Sequence, residues 1–67
     1  MTPIERVAMR LKSLRAKRKL TQQGLADKAG ISRGYLARLE TARQDPTLST
    51  LEKLAKALDV KVSKLVE

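Results

Sequence analysis

The chain has 67 residues with neither cysteine nor histidine. That makes it one domain near the lower size limit for a self-sufficient core, without disulfides, thiolate metal sites or imidazole acid–base chemistry. Lys and Arg number 15 against 7 acidic residues, a formal charge of +8, which on so small a surface suits a polyanionic partner. The 42% hydrophobic fraction is aliphatic apart from the single aromatic Tyr35, so the core has to be made of closely packed helix faces, and the fold class is all-α.

Thr2, Pro3 and Glu5 write a helix start, with Thr2 as N-cap, Pro3 at the first helical position and Glu5 closing a capping box. From there Ile4, Val7, Ala8, Leu11 and Leu14 form a helical stripe that runs to about Arg18. Charges break every apolar run of this segment, so it is neither a signal peptide nor a membrane span. Its apolar face is committed to the core, which excludes a helix lying on an anionic membrane. Thr21 caps a second helix, Gln22 to Ala29, and Ser32 caps a third, Arg33 to about Glu40 or Thr41. Gln44, Asp45 and Pro46 make a loop, since Pro46 disfavours helix at Asp45. Thr47 caps a fourth helix with Leu48, Leu51, Leu54, Ala55 and Leu58 on one face, and Val62, Leu65 and Val66 suggest a short fifth turn or helix. No linker, repeat or low-complexity segment interrupts residues 1–67, so a single compact five-helix domain is expected.

The stretch from residue 22 to about 41 carries the most information. Leu25 and Ala29 share a face of the second helix, Leu36 and Leu39 share a face of the third, and Ile31 lies where it can plug the angle between them. Gly30 falls where the backbone commonly turns left-handed, and Ala26 is small enough for a close, steep helix crossing. Small residue, corner glycine, apolar plug and cap, in that order, describe a DNA-binding helix-turn-helix.

The run "LTQQGLADKAGISRGYLARLE", Leu20 to Glu40, resembles the XRE family, the phage repressor and Cro type of helix-turn-helix regulator. The resemblance continues through "QDPTLSTLEKLAKALDV", covers about Leu11 to Leu65, and implies a lambda-repressor-like domain that binds double-stranded DNA. Three positions depart from the family pattern. Gly24 lies inside the second helix, and Ala42 and Asp59 stand where a glycine often ends the third and fourth helices.

A recognition helix docked by its N-terminal half in the major groove turns Arg33, Gly34, Ala37 and Arg38 toward base edges. The resemblance assigns base reading to the first, second and sixth residues of that helix, which are Arg33, Gly34 and Arg38. Arginine can donate to O6 and N7 of guanine together, the commonest specific contact, which makes Arg33 the foremost base reader. Arg38 ends on a base or on phosphate, and Gly34 either lets the backbone approach the groove or is merely tolerated. Tyr35 is placed by the resemblance at the DNA face; its alternative is a core-edge position against the first helix. Gln22 begins a helix whose free N–H groups suit a phosphate, and the resemblance has it also brace Arg33. Gln23 is a weaker backbone contact, and Thr41 and Arg43 should reach the flanking phosphates. Lys17, Arg18 and Lys19 read as a solvated basic helix end, and Asp27 and Glu52 as solvated acids. Arg15 extends the first helix's stripe and Glu40 ends the third helix; the resembled repressors hold an internal ion pair there.

No nucleophile–base pair, paired carboxylates or glycine-rich phosphate loop is present, so an enzyme is not expected. Neither a cofactor, a metal nor a small-molecule ligand is evident. The expected function is sequence-specific regulation of transcription in the cytoplasm, on the nucleoid, as a homodimer on a symmetric operator. The Leu48 to Leu65 half is the expected dimer surface, with Leu58, Val60, Val62 and Val66 as contacts. The alternative is an antitoxin with autoregulatory DNA binding. Antitoxins generally use a segment beyond such a domain to cover the toxin, and the last core positions here lie next to Glu67.

Overall fold

A computed structural model describes residues 1–67 as five helices: α1 (Pro3–Lys17), α2 (Gln22–Ala29), α3 (Arg33–Glu40), α4 (Leu48–Ala57) and α5 (Ser63–Val66). The first four begin alike. Thr2, Thr21, Ser32 and Thr47 each hold an extended backbone and accept the N–H three residues on, satisfying a donor the helix cannot. At Thr2 the box is reciprocal, the Thr2 N–H donating to Glu5 Oε1 at 2.9 Å. Those hydrogen bonds from Thr2 hold the Glu5 carboxyl below its ordinary value of 4.5.

The same four helices also end alike. In each, the residue beyond the last full turn is left-handed: Lys19 (φ 56°), Gly30 (72°), Ala42 (58°) and Asp59 (57°). Its N–H and that of the next residue return to carbonyls of the last turn, as in Ala42 to Leu39 at 3.2 Å and Arg43 to Arg38 at 2.9 Å, the Schellman arrangement. The residue after the turn is apolar and packed on the core at Leu20, Ile31 and Val60, whereas Arg43 is polar and exposed. Only one of these turns has the glycine that relieves the strain.

α1 packs on α3 and α5, while α2 packs on α3 and α4. Val7 and Leu11 from α1, Leu25, Ala26 and Ala29 from α2, Leu36 and Leu39 from α3, Leu51, Leu54, Ala55 and Leu58 around α4, and Leu65 from α5 form one core. Ile31 packs against it as the expected plug. Leu48, expected on the inner face of α4, is instead 67% exposed. As the first residue of α4 it lies a turn short of the core, where Leu51 takes up the inward face. Leu58 is fully buried, which removes it from the expected dimer contacts. Gly24 receives the Thr21 cap at 2.9 Å, and a Cβ there would stand 3.2 Å from the capping oxygen, so the residue that weakens the helix interior leaves room for its cap. No helix is long and apolar enough to cross a membrane.

Candidate nucleic-acid interface

α3 is short, exposed on one side and fixed on the other. Leu36 and Leu39 are buried against α1 and α2, so the helix's free face is made by Arg33, Gly34 and Arg38. Ala37 is half-buried on its border. Arg33 makes no side-chain hydrogen bond, and the Arg15–Glu40 pair accounts for the chain's salt bridges. Arg33 is thus a charged fork at the helix start with every donor open to solvent.

Arg38 is held differently. Its Nε donates to Gln44 Oε1 at 2.8 Å, and its Cζ lies 5.9 Å from the centre of the Tyr35 ring, within cation–π range. Gly34 lies beside that guanidinium: a Cβ there would meet Arg38 Nη1 at 3.6 Å, an ordinary van der Waals contact. Tyr35 is half-buried at the core edge, but against α4 rather than α1: its hydroxyl donates to Thr50 Oγ1 at 3.2 Å. Thr50 is itself a buried residue that also accepts from Thr47 Oγ1 at 3.0 Å.

Gln22 does not brace Arg33. Its Nε2 donates to Glu40 Oε1 at 3.0 Å, beside Arg15, whose Nε and Nη2 reach Glu40 Oε2 and Oε1 at 2.8 and 3.1 Å. The physical reason is the burial of Glu40, which is 2% exposed. A buried carboxylate needs donors for both oxygens, and it takes those within reach. Arg15 Nη1 also donates to Leu20 O at 3.0 Å, so the network joins α1, α2, α3 and the α1–α2 turn. Every buried side-chain polar atom of the chain has a partner.

Gln23 donates to Asp27 one turn on at 2.8 Å, and Thr41 Oγ1 returns to the Ala37 carbonyl at 3.0 Å, capping its own helix. Arg43 projects from the end of that helix, exposed and without a side-chain partner. Sequence reasoning missed Gln44 and Thr50. Gln44 meets Arg38 only because the left-handed Ala42 folds the chain back, which periodicity does not reveal; Thr50 stands three residues after the Thr47 cap, a spacing that was visible.

The positive charge is not confined to this face. Lys28, Lys53 and Lys56 line a shallow cleft between α2 and α4, and Arg18 and Lys28 a second one where the end of α1 meets α2 and the end of α4; α3 contributes to neither. No cluster of acidic side chains could hold a metal ion.

The helix-turn-helix family HTH_3 matches residues 11–65. The immunity repressor protein of Bacillus phage phi105 is 53% identical over 60 residues, which are 90% of this chain and 42% of the repressor; the chain thus spans less than half of that relative. The restriction-modification controller protein C.AhdI of Aeromonas hydrophila superposes with a TM-score of 0.90 at 32% identity, covering 92% of this chain and 94% of the controller. SinR of Bacillus subtilis, a master regulator of biofilm formation solved in complex with DNA, superposes with a TM-score of 0.88 at 34% identity, covering 91% of this chain and 98% of that one.

Proposed function

The chain belongs to the XRE-type helix-turn-helix family, and from that we propose that it is a sequence-specific transcriptional regulator that lays α3 in the major groove of double-stranded DNA. The observation that carries the reading is the state of Arg33: exposed, unpaired and placed at the start of a helix whose inner residues, Leu36 and Leu39, are committed to the core. Arg33 reads a guanine, Arg38 a second base, and Arg43 with Thr41 and the start of α2 at Gln22 and Gln23 hold the flanking phosphates. A DNA-binding SinR and a phage repressor among its relatives support this assignment. Such a regulator works in the cytoplasm, on the nucleoid. An α3 of eight residues spans only a few base pairs, so the useful unit is a homodimer on two half-sites about one helical turn (roughly 34 Å) apart.

Binding-site selection on random duplexes, followed by affinity measurements across a salt series, tests the reading. Arg33→Ala should cost about 1–3 kcal/mol on the selected site and little on non-specific DNA. Arg43→Ala should weaken all sequences and make the log K against log[salt] slope shallower by about 1 for each phosphate that a subunit ceases to neutralise. The opposite pattern would show the wrong helix face assigned to the groove.

A further inference from the structure

We propose that Gln44, a loop residue outside the helix-turn-helix, is a positioning residue that sets base preference through Arg38; the inference rests on the reading that Arg38 meets a base. A guanidinium can present two bidentate edges, one made of Nε with Nη2 and one made of Nη1 with Nη2. Arg15 uses the first edge on Glu40. In Arg38 that edge is blocked, because Nε donates to Gln44 Oε1 at 2.8 Å. The end-on edge, Nη1 with Nη2, is the bidentate face left to pair with O6 and N7 of a guanine.

The rest of the setting aims that edge. Helical side chains lean toward the helix N-terminus, and here the lean brings Nη1 beside Gly34, one turn earlier on the same helix. The Tyr35 ring lies against the guanidinium with its centre 5.9 Å from Cζ, and the ring is fixed in turn by the hydrogen bond from its hydroxyl to Thr50. Gln44 therefore closes a cage around the guanidinium whose other wall is the anchored ring. It reaches its place because the left-handed turn at Ala42 reverses the chain just past α3. A long, flexible arginine is thereby pre-ordered before DNA arrives, and the ordering cost is removed from the binding step.

Gln44 is exposed and carries no charge, so its removal should leave the fold and the salt dependence of binding intact. Site selection and competition binding are compared for the wild type, Arg38→Ala, Gln44→Ala, Gln44→Met and the Arg38→Ala/Gln44→Ala double variant. Gln44→Met keeps the length of the side chain and loses only the acceptor. Both Gln44 variants should lower discrimination at the base pair that Arg38→Ala relaxes, by roughly threefold to tenfold, the equivalent of immobilising one such side chain. They should leave the other positions and the salt slope unchanged, and the double variant should be no less selective there than Arg38→Ala alone. Gln44→Ala altering a position that Arg38→Ala does not touch would overturn the proposal, since Gln44 would then read DNA itself. Arg38→Ala relaxing one position while both Gln44 variants keep wild-type selectivity would overturn it and leave the Arg38 reading standing. Arg38→Ala with unchanged preference everywhere would overturn both.

Discussion

Gly30 and Ala42 occupy equivalent turns, with φ of 72° and 58°, at opposite conformational cost. A Cβ added to Gly30 would meet nothing within 4 Å, so Gly30→Ala isolates the backbone term and should lose about 1–2 kcal/mol. Ala42→Gly relieves the same strain and gives part of it back through the freer unfolded chain, for a net gain of about 1 kcal/mol. Thermal melts resolve both, because 1 kcal/mol moves the midpoint of a domain this small by about 4–8 °C. Opposite signs for the two variants are the expected result, and a destabilising Ala42→Gly would refute the strain argument. The corner glycine and the unusual residues at 42 and 59 were legible in the sequence as positions. Lys19 was not, because a lysine among basic neighbours gives no sign of a positive φ.

At the scale of elements, Glu40 decides how α3 is held. Its carboxylate is buried and accepts from Arg15 on α1 and Gln22 on α2, so three helices converge on one charge. Removing either ionic partner should cost about 3–5 kcal/mol, with Arg15→Ala at the upper end because it strands a carboxylate that is 1% exposed, whereas Glu40→Ala strands a guanidinium that is 22% exposed. A core of this size supplies only about 3–5 kcal/mol in total, so Arg15→Ala is expected to be largely unfolded at room temperature. Urea melts of both single variants and the double variant in the cold check the coupling: the double should lose less than the sum, and full additivity would deny the pairing. Helix positions, caps and the turn at Gly30 followed from periodicity and local chemistry, which act within a few residues. The partner of Gln22 and the cage around Arg38 did not, because they depend on which donors the tertiary arrangement brings to a buried acceptor.

For the whole molecule, the proposed homodimer is held by the half that contains α4 and α5. Val60 and Val62 are half-buried on the core and Val66 is 41% exposed, which leaves these three as the proposed dimer contacts once Leu58 is assigned to the interior. Sedimentation with a duplex carrying both half-sites should show two chains bound, and Val66→Asp should reduce the stoichiometry to one without changing the preferred half-site sequence. One chain binding a single half-site as tightly as two bind the pair would refute the dimer. The seating of α5 bears on a different matter, the order of events during synthesis. Arg10 near the start of the chain donates to the Glu67 carbonyl at 2.9 Å, and Leu65 is fully buried in a core to which α1 contributes Val7 and Leu11. While residue 65 is still inside the ribosomal exit tunnel, the part of the apolar face of α1 that α5 covers stays exposed. Folding can then be completed only after translation has passed this residue, and until that moment the nascent domain depends on its own charge to stay clear of aggregation.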